Sequence, residues 1–229
     1  MTQIKICGIQ KPDDALTASQ AGADFIGLVF VPNRRRCLKV RDAEAIVSTL
    51  RESTQDPPKI VGLFADQPLE EVNRLVDRCM LDLAQLCGQE SLGYSAKVKV
   101  SVIKVVHILD SQSFSNIESI VKRIRQQGHL VTLDSKVAGL QGGTGRSFDW
   151  HIAEAASRKG LSFMLAGGLT PNNVANALEL VNPWGVDVSS GVETKETKDP
   201  LKIKAFIDAV RSFSTSQHSN QVTSIRESK

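Results

Sequence analysis

The thiol of Cys7 is the most reactive group near the start of the chain, and it stands where a strand-like run, Ile4-Lys5-Ile6-Cys7, ends. Side chains alternate along a strand, so Lys5 and Cys7 share one face, and an ammonium below a thiol favours its thiolate form. We therefore interpret Cys7 as a nucleophile or base. The alternative is that Cys7 is only a small buried apolar residue.

A carboxylate ends a later run of strand type, Leu130-Val131-Thr132-Leu133-Asp134. A thiolate and a carboxylic acid at the same end of two strands would form an acid/base pair, able to take a proton from carbon while giving one to oxygen. A structural role for Asp134, as a loop cap or as the partner of Lys136, is the alternative.

Glycine and serine residues follow the last two strand-like runs and predict a phosphate site. Backbone N–H groups of such loops can approach an anion closely, and barrels commonly hold phosphate after their seventh and eighth strands. The candidates in these two loops are Gly167, Gly168, Ser189, Ser190 and Gly191.

Other candidates for ligand contact lie in three further segments. A glycine-rich loop at residues 139–145, which includes Gly142 and Gly143, follows Asp134, and we interpret it as a mobile active-site loop. One of the three arginines at 34–36 could clamp a carboxylate. Asp187 requires a partner if it faces inward, either Lys5 or a ligand group, although a purely structural ion pair is an equal alternative.

The elements that must position these groups alternate between strand and helix patterns along the chain. Prolines near the predicted helix starts support the pattern. The predicted strands span 3–7, 24–30, 59–64, 82–87, 101–107, 129–134, 161–166 and 184–188. The predicted helices span 12–21, 41–52, 68–79, 89–97, 113–127, 148–158, 171–181 and 200–213. Eight such units predict an α/β fold, a single (β/α)8 TIM barrel over residues 1–213, with a polar, disordered tail at 214–229. An open doubly wound sheet is the alternative.

Composition excludes several classes of protein. The 229 residues are 41% hydrophobic and 23% charged, with a net charge of +3, too small to indicate nucleic-acid binding. The sequence contains no membrane span or secretion signal. Four cysteines without close pairing make structural zinc improbable, and we expect reduced thiols in a cytoplasmic protein. Oligomeric state, monomer or homodimer, stays open.

An ordered set of motifs along nearly the whole chain resembles the phosphoribosylanthranilate isomerase family of tryptophan biosynthesis. The matching motifs include Lys5-Ile6-Cys7-Gly8, Gly27-Leu28-Val29-Phe30, Val61-Gly62-Leu63-Phe64, Leu133-Asp134-Ser135-Lys136-Val137, Gly142-Gly143-Thr144-Gly145, Leu165-Ala166-Gly167-Gly168-Leu169 and Asp187-Val188-Ser189-Ser190-Gly191-Val192-Glu193.

The resemblance implies a cofactor-free Amadori rearrangement of N-(5'-phosphoribosyl)anthranilate, with no metal. It assigns Asp134 as the general acid that opens the furanose ring and Cys7 as the general base at C2'. It places Arg36 near the anthranilate carboxylate, Asp187 in the same region, and the phosphate at the glycine and serine loops.

Two departures from the family pattern bear on affinity more than on reaction type. Cys87 stands where the family usually has histidine, and the loop after the second strand reads Arg34-Arg35-Arg36 in place of Ser-Pro-Arg. The histidine-pathway aminoaldose isomerase is the nearest rival, but it uses carboxylates at both strand ends, so Cys7 argues against it. A catalytically silent phosphate-binding homologue is the alternative outside enzymes.

Overall fold

The structure is a computed structural model that describes residues 1–108, 113–134 and 150–226, with side chains up to residue 215. Its parallel strands follow one another around a ring. They are β1 (Gln3–Cys7), β2 (Phe25–Val29), β3 (Lys59–Phe64), β4 (Leu83–Leu86), β5 (Ser101–His107), β6 (Leu130–Asp134), β7 (Met164–Ala166) and β8 (Gly185–Val188).

A helix follows each strand along the chain. The helices are α1 (Pro12–Ala21), α2 (Val40–Ser53), α3 (Leu69–Arg78), α4 (Leu92–Ser95), α5 (Phe114–Gln126), α6 (His151–Arg158), α7 (Val174–Val181) and α8 (Pro200–Arg226). Residues that favour helix starts and ends explain where some of these helices begin and end. Helix α1 has Pro12 in its first turn and ends at Gly22, whose φ of 98° suits glycine and whose N–H bonds to Ala18 O.

The strands close into a barrel because β8 pairs with β1. The pairing is parallel, with Ile4 opposite Val186 and Lys5 opposite Asp187. Closure confirms the predicted TIM barrel and excludes the open doubly wound sheet, whose first and last strands would be edges. All eight strands therefore present their carboxyl ends at one mouth.

Alternation along β1 divides its side chains between two cores. Ile4 and Ile6, fully buried, pack in the layer between the barrel and the helices. Cys7 lies with the apolar residues of the barrel interior, and Lys5 is fully buried on the same face. The predicted strand parity is thus confirmed, and it aims Cys7 at the mouth.

The bounds of several helices differ from the predicted ones, most of all at the end of α8. Helix α7 begins at Val174, after a turn that contains Pro171. Helix α8 continues to Arg226, through most of the segment for which the sequence predicts a disordered tail. After β8 the chain makes a 3₁₀ turn (Ser190–Val192) and a short hairpin of β9 (Glu193–Thr194) and β10 (Thr197–Lys198).

No helix within the described part of the chain has both the length and the apolar character needed to cross a membrane.

Candidate active site

A cavity of about 340 Å³ opens at the mouth of the barrel. Its lining contains every site candidate that falls on described residues: Cys7, Arg36, Asp134, Gly167, Gly168, Asp187, Ser189, Ser190 and Gly191. Gly142, Gly143 and the rest of the predicted mobile loop, as well as Lys136, lie outside the described residues. Groups dispersed over most of the sequence therefore meet in one cavity.

Cys7 ends β1 with its side chain 6% exposed. Burial raises the pKa of its thiol, and the nearby charges of Lys5 and Lys198 only partly oppose this effect. Lys5 favours the thiolate of Cys7, as the sequence predicts, but burial outweighs this effect. In this site Cys7 rests as a thiol at neutral pH.

Lys5 and Asp187 form an ion pair inside the barrel, with Nζ 2.8 Å from Oδ2. Burial alone would lower the pKa of Lys5, but the charge of Asp187 and its hydrogen bond raise it above its ordinary value, so Lys5 stays charged. Burial raises the pKa of Asp187, against the opposing effect of Lys5. Of the two partners expected for Asp187, the structure gives Lys5.

Asp134 ends β6 across the barrel from Cys7 and is partly exposed to the cavity. His107, its register partner at the end of β5, places Nδ1 3.5 Å from Oδ2 of Asp134. The other ring nitrogen of His107 lies 3.4 Å from the carbonyl oxygen of Cys87. An imidazole therefore stands at the mouth beside Cys87, although it comes from the neighbouring strand.

Cys87 is itself part of the cavity lining. Burial raises the pKa of its thiol to about 12, while a hydrogen bond from Gln85 has the opposite effect. Cys87 is thus a neutral group at neutral pH and contributes no charge to the site.

Arg36 reaches the mouth from the loop after β2 and is anchored by Glu193. Its Nε and Nη2 donate to the two carboxylate oxygens at 2.7 and 2.8 Å. The sequence predicts a bidentate pair between one of the arginines and a ligand carboxylate. In the structure Arg36 forms that bidentate pair with Glu193. Gly8 makes this approach possible: its φ is 75°, and a Cβ there would lie 2.4 Å from Cδ of Arg36.

The carboxylate of Glu193 also accepts hydrogen bonds from two other cationic side chains. Arg35 donates to Oε2 at 2.6 Å and Lys198 to Oε1 at 2.9 Å. Although burial acts to raise the pKa of Glu193, the hydrogen bonds from Arg36, Arg35 and Lys198 lower it to about 2. Of the three consecutive arginines, Arg34 and Arg35 are exposed and Arg36 is partly buried, in line with the expectation that at least one of them faces solvent.

The two phosphate-loop candidates meet at the mouth. Gly167 and Gly168 have φ values of 95° and 65°, a conformation that suits glycine. A Cβ on Gly191 would lie 1.8 Å from the carbonyl oxygen of Leu169, so the loop after β8 packs directly on the loop after β7. The hydroxyl of Ser189 donates to the carbonyl of Cys7 at 3.1 Å and so ties this loop to β1.

Some residues of the cavity were missed by sequence reasoning. His107, Gln85 and Thr132 line it, and Lys198 lies close to Cys7. His107, Gln85 and Thr132 occupy strand positions whose side chains alternate into the barrel, so extending the alternation rule from β1 to every strand would have found them. No pattern in the sequence indicates Lys198. Among the described residues, no cluster of His, Cys, Asp or Glu side chains could hold a metal ion.

Comparison with known proteins gives consistent matches over this chain. A family model described as N-(5'phosphoribosyl)anthranilate (PRA) isomerase matches residues 4–209. The chain is 44% identical over 214 residues to the N-(5'-phosphoribosyl)anthranilate isomerase of Roseiflexus castenholzii, covering 91% of this chain and 97% of the relative. It is 38% identical over 215 residues to that of Dehalococcoides mccartyi, covering 92% and 96%.

Solved structures agree with the sequence matches. The crystal structure of phosphoribosyl anthranilate isomerase from Thermotoga maritima superposes with a TM-score of 0.81 at 32% identity, covering 93% of this chain and all of the other. A second structure of the isomerase, in complex with reduced 1-(o-carboxyphenylamino)-1-deoxyribulose 5-phosphate, gives 0.77 at 30% identity, with the same coverage.

Proposed function

The chain belongs to the N-(5'-phosphoribosyl)anthranilate isomerase family, and from this premise we propose how its own residues perform the reaction. The enzyme isomerises N-(5'-phosphoribosyl)anthranilate to 1-(o-carboxyphenylamino)-1-deoxyribulose 5-phosphate, the Amadori rearrangement of tryptophan biosynthesis. The assignment of residues to its steps is the proposal.

Asp134 is the general acid of the first step. Its carboxyl group gives a proton to the furanose ring oxygen, the bond from that oxygen to C1' breaks, and the amine nitrogen forms a double bond to C1'. The product is an open-chain Schiff base. The position of Asp134 at the end of β6, partly exposed and lining the cavity, supports this role.

Cys7 is the general base of the second step. Its thiolate takes the proton from C2', and the electrons of that bond form a C1'–C2' double bond and neutralise the nitrogen, giving an enolamine that tautomerises to the ketone. The charges of Lys5 and Lys198 stabilise the thiolate when it forms. Because the thiol is the resting form, only the deprotonated fraction of the enzyme performs this step.

Different groups of the cavity bind the two anionic ends of the substrate. Arg36, held by Glu193, takes the anthranilate carboxylate. Asp187 lines the same cavity, but its charge is paired with Lys5 and it does not contact that carboxylate. The backbone N–H groups of Gly167, Gly168, Ser189, Ser190 and Gly191 take the phosphate. Gly142 and Gly143 complete the substrate contacts in this proposal.

The single observation that carries the assignment is that Cys7 and Asp134 line one cavity from strands β1 and β6. The test is a continuous assay with substrate generated in situ, following the loss of anthranilate-type fluorescence, on the parent, Cys7→Ala and Asp134→Asn. We expect turnover by the parent and a loss of about 10²- to 10⁴-fold in kcat for each variant. A variant that keeps parental kcat would remove that residue from its role. A parent that binds a product analogue without turnover would indicate the silent homologue.

We further place the enzyme in the cytoplasm, as a monomer or homodimer that binds a small phosphorylated molecule and no nucleic acid, with its barrel domain ending near residue 213. The isomerase of Thermotoga maritima, a structural relative at 30% identity, is dimeric and has been converted to monomers, which supports the dimer as one of the two states. Sedimentation equilibrium would decide between them.

A further inference from the structure

Three buried polar atoms at the base of the cavity have no hydrogen-bond partner among the described residues. They are Oε1 of Gln85, Oγ1 of Thr132 and Oδ1 of Asp187. The three residues are 4%, 1% and 8% exposed, and all three line the cavity. Unpartnered buried polar atoms reduce stability, so their presence together in one cavity requires an explanation.

Strand register places these residues in one layer of the barrel interior. Gln85 lies on β4, Thr132 on β6 and Asp187 on β8, and alternate strands of this fold contribute one side chain each to a layer. The remaining position, on β2, is Gly27, where a Cβ would lie 2.9 Å from Sγ of Cys7. We call Gln85, Thr132 and Asp187 the polar layer. It lies directly beneath the layer that contains Cys7.

Donor and acceptor chemistry restricts what the polar layer can bind. Oδ1 of Asp187 and Oε1 of Gln85 only accept hydrogen bonds, whereas the Thr132 hydroxyl can donate or accept. Two acceptors, one of them a carboxylate, repel a phosphate or a carboxylate. Lys5, the cation nearest to them, is already bonded to the other carboxylate oxygen of Asp187. The matching ligand is therefore neutral and carries O–H donors.

We propose that the polar layer binds the C3' and C4' hydroxyl groups of the substrate's opened pentose chain and so holds C2' over Cys7. This inference rests on the proposed function, because the pentose belongs to that substrate. It adds Gln85 and Thr132 to the binding residues as positioning groups. It also separates the site into a hydroxyl-binding base and an anion-binding rim formed by Arg36 and the glycine loops.

The test combines matched variants with matched ligands. Thr132→Val keeps the shape of the side chain and removes the hydroxyl, Thr132→Ser keeps the hydroxyl, and Gln85→Met is a second, independent variant. The ligands are reduced 1-(o-carboxyphenylamino)-1-deoxyribulose 5-phosphate and its counterparts that lack the C3 or the C4 hydroxyl. Affinities are measured by calorimetry, and thermal unfolding is followed without ligand.

We expect Thr132→Val to weaken binding of the complete ligand by about threefold to tenfold, the usual effect of one hydrogen bond. The loss should disappear with one of the two deoxy ligands, and Thr132→Ser should restore affinity. Without ligand, Thr132→Val should unfold at the parental temperature or above it, because the variant removes an unpartnered polar atom. Gln85→Met should show the same dependence on a ligand hydroxyl.

Other outcomes overturn the inference. Equal losses with all three ligands, or no loss with any, would show that the polar layer binds neither the C3' nor the C4' hydroxyl. A lower unfolding temperature for Thr132→Val with unchanged affinity would make Thr132 a structural residue. These results are distinct from failure of the proposed function, which would appear as absence of turnover by the parent enzyme.

Discussion

Nζ of Lys5 lies 2.8 Å from Oδ2 of Asp187, within the barrel and two residues before Cys7 on the same strand face. Lys5 is fully buried, and Asp187 is 8% exposed, towards the cavity that it lines. The pair is therefore both a structural contact and part of the electrostatic environment of Cys7.

Removing Lys5 alone should strongly destabilise the fold. Lys5→Met leaves the carboxylate of Asp187 buried without its cation, and we expect a loss of about 3–5 kcal/mol in the free energy of unfolding. The double variant Lys5→Met/Asp187→Leu should recover much of that loss, because both charges are gone. Urea unfolding of Lys5→Met, Asp187→Leu and the double variant gives the coupling free energy between the two side chains. Additive losses would contradict a coupled pair.

The pH dependence of kcat/KM should report the Cys7 thiol. A base must be deprotonated to act, so activity should rise with pH, and burial should place the midpoint above the ordinary range for cysteine. Because the charge of Lys198 opposes the effect of burial, Lys198→Met should move the midpoint to still higher pH. Lys204→Met, an exposed lysine on α8, is the control and should leave it unchanged. A midpoint below that of an ordinary cysteine would refute this reading.

Arg36 and Arg34 form a matched pair for testing carboxylate recognition. Arg36→Lys removes the planar fork that Glu193 holds, so the remaining cation is poorly positioned, and we expect KM to rise about tenfold with a smaller change in kcat. Arg34→Lys keeps the charge at an exposed position and should leave both constants unchanged. Steady-state kinetics of the two variants decides the matter. Equal effects would mean that only the net charge of this loop is important.

Gly191 is required for contact between the two loops that we assign to phosphate. In Gly191→Ala the new Cβ meets the carbonyl oxygen of Leu169 at 1.8 Å, so the backbone must move. We expect weaker inhibition by inorganic phosphate and a stability loss of about 1–3 kcal/mol, as for overpacking. Gly93→Ala is the control, since its nearest neighbour, Oγ of Ser91, lies 3.7 Å away. Unchanged phosphate inhibition in Gly191→Ala would separate these loops from phosphate binding.

Local sequence signals predicted most of the barrel. The predicted bounds of β1, β3 and β5 agree with the structure, because alternating apolar patterns bounded by turn residues are local information. Parity on β1 also placed Cys7 and Lys5 inside correctly. The terminal helix was underestimated, since α8 continues beyond its apolar pattern to Arg226.

The electrostatics of the site depend on contacts that sequence does not display. Arg36 and Glu193 are 157 positions apart, and their pairing follows only from barrel closure. The pKa of Cys7 is a second example: proximity of Lys5 can be read from strand parity, but the degree of burial arises from all surrounding strands. His107 lies beside Asp134 through the register of β5 and β6, which local patterns do not specify.

The pairing of β8 with β1 also determines when the site can form during synthesis. Lys5 leaves the ribosome among the first residues, but the carboxylate that neutralises it follows 182 positions later. Until then the first strand has an unpaired edge and a lysine that cannot be buried. Arg211, which bonds to Thr2, Gly22 and Asp24, joins the two chain ends later still. The active site is therefore completed in the last stage of folding. In a nascent chain that stalls before β8, the general base Cys7 is not yet in position and β1 has no partner strand on one side.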